Sequence, residues 1–432
     1  MSDSYAAEGQ RAPVARQDRL VTLDFIRGIA VLGIVFANIA AFGQTMNAYI
    51  WPQALAHPPT PSDKLFWLIQ YTLVDGKMRG LFTLLFGAGM MLFMERAWAR
   101  GASRWLQARR LAWLLLFGTL HFLLLWHGDI LQLYAISGLA LLGTLRWEPH
   151  TKLTLGLALY LLGSVAQGAQ LGGNYLATAS PELAARLTPE HRKELFETET
   201  KVLHENARLI HLYRDGSFAD VARYMVLEKA GPSIGQTLFF SVTETIPLIL
   251  IGMALYQMGL FSGRMDPARM RHWGWIGVAS GTAVTAALGL WAYRADFPFH
   301  LTFFVFIGAS PLPRLAVVLG LAALLSLWAP RATRSALGTR FAAAGRMAFS
   351  NYIGTSLLLV PVFNGWGLGL FGRFGRLELF GFVLAVWALM LAWSKWWLER
   401  YRYGPLEWLW RCLTYGRMMS LRRSVAIESD SH

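Results

Sequence analysis

Long apolar runs punctuate the chain, near residues 24–43, 78–97, 109–127, 129–146, 152–169, 236–259, 273–293, 311–329, 343–363 and 379–398. Each approaches the length of about 20 residues that a helix needs to cross a bilayer. Lipid offers no partner to a backbone N–H or C=O, so spanning segments are confined to helices or a closed barrel. Runs this long and this apolar predict helices. The expected fold is an all-α polytopic membrane protein of about ten transmembrane helices with a helical periplasmic insert. Only 15% of residues are charged, below the roughly 25% of soluble domains.

A net charge of +14 raises the question of nucleic acid, and the distribution answers it. Arg96, Arg100, Arg104, Arg109 and Arg110 lie in one connection, Arg146 and Lys152 in another, and Arg264, Arg269 and Arg271 in a third. Arg331, Arg334, Arg340 and Arg346 follow, and seven bases lie between Lys395 and Arg423. These alternate with connections poor in Lys and Arg. By the positive-inside rule both termini are expected in the cytoplasm. The partner implied is the bilayer, and no nucleic acid is expected. The single Cys412 excludes an intramolecular disulfide.

The expected organisation has five parts. Residues 1–18 form a disordered cytoplasmic tail, 19–169 and 236–400 two transmembrane halves, 170–235 the insert, and 401–432 a cytoplasmic amphipathic helix and tail. From Glu182 to Lys229 there are eight bases and nine acids. A long loop crosses the membrane whatever its charge, so the insert is expected outside as short amphipathic helices. "SPELAARL" and "TPEHRKELF" read as a cap followed by proline at the first helical position. Residues 65–77 joined to the next span would make a helix of roughly 50 Å, too long for a bilayer of about 30 Å. A break is expected near Gly76 or Gly80. "GVASG" at Gly277–Gly281 reads as small-xxx-small helix packing.

The first span, "LDFIRGIAVLGIVFANIAAFG", carries Asp24, Arg27 and Asn38. At about 100° per residue, Arg27 and Asn38 project within roughly 20° of each other, with Asp24 about 40° away. A polar stripe on a spanning helix faces protein or a wet cavity. The stripe is either a functional surface or an Asp–Arg pair at the interface with Asn38 bonding a neighbouring helix. His121, in the third span, lies at about the same depth as Asn38. It reads as a candidate general base or as a hydrogen-bonded packing residue. His127 reads as a surface residue. Asp129 opens the fourth span, where it either caps the helix or orients His121. Glu244 is an acid within the sixth span, either an acid–base group or the partner of Lys77 or Arg79 in a buried ion pair. Ser350, Asn351 and Tyr134 are candidate substrate contacts. No zinc pattern, P-loop or G-x-S-x-G occurs, so no metal site is expected.

"RLVTLDFIRGIAVLGIVFANIAAFG", "LFTLLFGAGM", "LHFLLLWHGDILQLYAISGL", "GRMAFSNYIGTSLL" and "GPLEWLWRCLTYG" together resemble the YeiB-like family of bacterial inner-membrane proteins, a domain-of-unknown-function family. The first helix is also similar to those of wider transmembrane acyltransferases, whose acyltransferase-three pattern is Arg, ten residues, then His; here Arg27 matches and Asn38 stands at the His position. The resemblance implies a multi-pass inner-membrane protein and an acyltransferase with no tightly bound cofactor. Acyl-CoA would dock from the cytoplasm on Arg27 and Asp24, the 96–110 arginines, Lys77 and Arg79. A lipid or glycan acceptor would meet His121, with Asn38 as oxyanion donor and Asp129 or Glu244 orienting the histidine. A multi-pass transporter or exporter is the other expectation, because polar residues at matched depth also line a transport path. No sequence feature sets the oligomeric state.

Overall fold

A computed structural model describes residues 16–422, and the expected N-terminal tail lies almost wholly outside them. In chain order the principal helices are α1 (Arg16–Gly43), α2 (Pro61–Leu73), α3 (Lys77–Trp98), α4 (Trp105–Leu124), α5 (Leu131–Ala140) and α6 (Pro149–Ala179). Then come α7 (Pro189–Asp215), α8 (Phe218–Met258), α9 (Pro267–Arg294), α10 (Phe299–Ala309) and α11 (Pro311–Ala332). α12 (Ala336–Arg346), α13 (Ala348–Phe363), α14 (Arg376–Arg400) and α15 (Pro405–Tyr415) complete the chain. The described residues form no strand beyond one isolated bridge, Tyr401–Arg422. This is an all-α polytopic membrane fold.

All ten apolar runs fall on helices, but seven of the described helical segments are long and apolar enough to cross a membrane. The run at 129–146 is shortened because α5 tightens into a 3₁₀ turn at Leu141–Arg146. The run at 343–363 is divided at Met347, whose backbone (φ −108°, ψ 26°) ends α12 and starts α13. The 65–97 stretch breaks where expected, at Gly76. Its φ of +70° is left-handed, and a Cβ there would lie 2.1 Å from the Arg314 side chain. Only glycine satisfies both conditions.

α1 lies at the centre, against α3, α11, α12, α13 and α14. It approaches α12 backbone to backbone. A Cβ on Gly28 would meet the Phe341 carbonyl at 1.9 Å, and one on Gly345 the Asp24 carbonyl at 1.8 Å. That contact fixes the polar stripe of α1 beside the start of α13. α9 and α11 pack the same way through Gly277 and Gly281, as the small-xxx-small pattern predicts.

The insert differs in scale from the short helices expected. Ser180 and Thr188 do cap helices, and proline follows each. The second of these is α7, 27 residues long, and α6 and α8 extend into the insert from either side. α7 lies across one end of the bundle, held by Asn47 Nδ2 donating to Asn206 Oδ1 (3.1 Å) and Gly365 N donating to Tyr213 O (2.8 Å). At the opposite, arginine-rich end, α15 packs against α4 and α13. Its Glu407 accepts from the N–H groups of Phe349 and Ser350 at 2.8 and 3.0 Å, capping the first turn of α13.

Candidate functional site

A cavity of about 1260 Å³ opens at the arginine-rich end between α1, α3, α4, α13 and α15. Eight arginines line it, contributed by both halves of the chain, against two carboxylates, Asp24 and Glu407. Asp24 and Arg27 pair at 2.8 Å. Arg110 is held between the faces of Phe93 and Trp410, at 4.6 and 4.3 Å from the ring centroids. Further in, the lining turns apolar and aromatic through Phe82, Phe86, Leu114 and Tyr134. Tyr134 stacks on Phe86 at 5.1 Å and shares a hydrogen bond with Thr83 Oγ1. The cavity is thus cationic at its mouth and apolar along its depth, which suits an amphipathic anion.

Ile130, Leu131 and Tyr352 line the cavity where α5 and α13 meet. The Tyr352 hydroxyl accepts from Ile130 N at 3.1 Å and donates to Gly128 O at 3.2 Å. Its ring lies 5.2 Å from that of His121. His121 Nδ1 is 2.7 Å from Asp129 Oδ2, and Nε2 is 2.8 Å from Ser356 Oγ. Asp129 Oδ1 accepts from Gln132 N at 2.8 Å, so this carboxylate caps α5 and orients His121 at once. With Asp129 ionised and His121 neutral, the carboxylate only accepts, so Nδ1 carries the hydrogen and Nε2 accepts from the Ser356 hydroxyl. The side chains of His121 and Asp129 are 1% and 0% exposed. This is the carboxylate–imidazole–hydroxyl order of a nucleophilic triad.

The other candidates occupy different places. Asp24, Arg27 and Tyr134 line the cavity. Asn38 is half-buried, does not line it, and makes no side-chain hydrogen bond among the described residues. Glu244 pairs with Arg79 at 2.6 Å and with Arg314 at 3.6 Å, in a π-helical turn at Ser241–Thr245. Lys77 is buried and donates to Tyr71 O at 2.7 Å. Neither Lys77 nor Arg79 lines the cavity. Asn351 is fully engaged, with Ala344 O and Ser394 Oγ each 3.0 Å from Nδ2, and Trp393 donating to Oδ1 at 2.8 Å. Ser350 Oγ donates to Glu407 at 2.5 Å. His127 is not at the free surface but lies half-buried beneath the Tyr213 ring.

Sequence reasoning missed Ser356 and the arginines that the C-terminal half supplies to the mouth. The available signal for Ser356 was its place four residues after Tyr352, on the same face of a helix.

Over 400 residues, the chain is 34% identical to the uncharacterized protein YeiB of Escherichia coli, with 92% of this chain and 96% of that one covered. The chain belongs to the YeiB-like family. It is also 30% identical over 425 residues to the uncharacterized protein YxaH of Bacillus subtilis, covering 93% of this chain and 96% of that one. The family model described as a protein of unknown function, DUF418, matches residues 255–417. This segment holds α13 to α15 and hence Ser356, Tyr352 and Glu407. No solved structure matches.

Proposed function

We propose that this YeiB-like protein is an acyl-CoA-dependent acyltransferase of the bacterial cytoplasmic membrane, with both termini and the arginine-rich end on the cytoplasmic side. The observation that carries this reading is the course of the cavity, from eight arginines to the tyrosine whose ring meets His121. At about 1260 Å³ it exceeds the roughly 300–1,000 Å³ of ordinary small-molecule sites, as a long donor requires. The phosphates of acyl-CoA pair with Arg27, Arg100 and Arg411 at the mouth. The acyl chain lies along Phe82, Phe86 and Tyr134. His121, held in one tautomer by Asp129, takes the proton of the attacking group. The acceptor, a lipid or glycan hydroxyl or amine, enters from the end covered by α7.

The test is transfer of radiolabelled acyl groups from acetyl-CoA and longer acyl-CoAs to total membrane lipid by the purified protein. The wild type is expected to transfer label, and a His121→Asn variant of unchanged melting temperature is not. Failure of the wild type to bind or turn over any acyl-CoA sinks the donor assignment. One observation favours a transporter as the second reading. Asp75, with its carboxylate at Tyr49 and Gln70, and the Glu244 pair are ionisable groups in spanning segments outside the cavity. Pumping of protons in proteoliposomes, abolished by Asp75→Asn, would favour that reading.

A further inference from the structure

We infer that Ser356 is the nucleophile of this site and carries the acyl group as an ester between two half-reactions. The inference rests on the acyl-transfer reading for the donor, and on three observations of its own for the serine.

The first is the direction of its hydroxyl. A serine inside an apolar helix ordinarily gives its hydrogen to the carbonyl four residues back, and Ser164, Ser280, Ser310 and Ser326 all do so, at 2.6–2.7 Å. Thr355, the residue before Ser356, does the same to Asn351 O at 2.8 Å. Ser356, like Ser350 at Glu407 and Ser394 at Asn351, departs from that habit, and its partner is a base, His121 Nε2, 235 residues away in sequence. The second is the geometry of that nitrogen, which is the accepting one in the neutral tautomer that an ionised Asp129, 2.7 Å from Nδ1, selects. A base aimed at a hydroxyl and oriented by a carboxylate is the arrangement that activates a nucleophile.

The third is position along α13. Tyr352, one turn before Ser356, lines the large cavity. Val360, one turn after it, lines a second cleft of about 20 Å³ with Leu123, Trp126, His127 and Asn364, beneath Tyr213 of α7. Ser356, itself 1% exposed and lining neither space, therefore stands between the large cavity and a cleft beneath the insert that has room for about one water and must widen to admit an acceptor. A covalent carrier at that point lets donor and acceptor be served in turn from opposite sides. The acyl group crosses without both substrates sharing one space.

In the first half-reaction Oγ attacks the thioester carbonyl carbon while its proton passes to His121 Nε2. The C–S bond breaks, the sulfur takes that proton, and CoA leaves as the thiol. In the second, an acceptor hydroxyl or amine gives its proton to Nε2 and attacks the ester carbonyl. The C–Oγ bond breaks and Oγ recovers the proton. No other reactant is needed.

A long-chain alkyl fluorophosphonate tests the serine without acyl-CoA, because it reacts with an activated hydroxyl by losing fluoride. The full-length wild-type protein in detergent is expected to gain one adduct, mapped by mass spectrometry to Ser356. His121→Asn is expected to slow labelling at least 100-fold. No adduct, or an adduct at another residue, overturns the inference. With acyl-CoA and no acceptor, a base-labile acyl ester is expected on the same peptide, and Ser356→Ala should lose it while melting as the wild type does. Transfer to acceptor that survives Ser356→Ala at more than a tenth of the wild-type rate overturns the nucleophile and leaves the acyltransferase standing. Labelling of Ser356 by the fluorophosphonate in a protein that turns over no acyl-CoA upholds the nucleophile and overturns the donor.

Discussion

Two groups of charged and polar side chains are buried in this bundle, and they are built on different plans. In the first, His121, Asp129 and Ser356 form a directed chain in which both imidazole nitrogens are engaged and the carboxylate is shared with the start of α5. It borders the cavity through one ring, that of Tyr352. In the second, Glu244 sits between Arg79 and Arg314, at the junction of α3, α8 and α11. There Glu244 Oε1 and Arg314 Nε lack hydrogen-bond partners, and the three residues, like His121, Asp129 and Ser356 themselves, do not line the cavity. Charge is common to both groups, and so is burial except at Arg79, whose side chain is 30% exposed. What separates them is the directed proton and the route to a large anion-binding space.

The sharpest way to break this comparison is to exchange the penalties of the two groups. His121→Asn keeps a donor for Asp129 and removes the base, so transfer should fall by ~10³-fold or more while the melting temperature holds. Glu244→Ala should do the reverse. It leaves Arg79 and Arg314 without their carboxylate, a loss of about 3–5 kcal/mol, read as a lowered melting temperature with activity retained by the molecules still folded. At the cavity mouth, Arg96→Ala with Arg100→Ala should raise KM for acyl-CoA about tenfold, ~1.4 kcal/mol, with kcat unchanged and a weaker dependence of KM on salt. The smallest effect is expected at Glu407. Glu407→Ala removes the cap of α13 and should lower stability by about 1 kcal/mol, while Glu407→Gln, which still accepts from Phe349 and Ser350, should restore most of it.

The sequence made the membrane class, the break at Gly76 and the caps at Ser180 and Thr188 legible, because each is a local matter of length, backbone conformation or hydrogen-bond chemistry. The stripe of Asp24 and Arg27 was legible for the same reason, since helical phase survives folding. Depth was a poorer guide than phase. Counted along their helices, Asn38 and His121 are expected at the same depth, yet His121 turns its ring toward α13 and meets Ser356. Depth fixes position along the bundle and leaves open which neighbour a helix face will meet. The same gap hid the mouth of the cavity. Arg96, Arg100 and Arg110 were visible as a cluster, whereas Arg346, Arg402, Arg411 and Arg417 join them only because α12 and α15 fold back against α1 and α4.

The central claim is that the buried group beside the cavity does chemistry and the buried ion pair holds helices together. The most direct test is the acyl-transfer rate per folded molecule of His121→Asn and Glu244→Gln, measured side by side. The account predicts that Glu244→Gln stays within about threefold of wild type, less than 1 kcal/mol, and that His121→Asn falls by ~10³-fold. A His121→Asn rate near that of the wild type, or a Glu244→Gln variant that folds and transfers nothing, would contradict it.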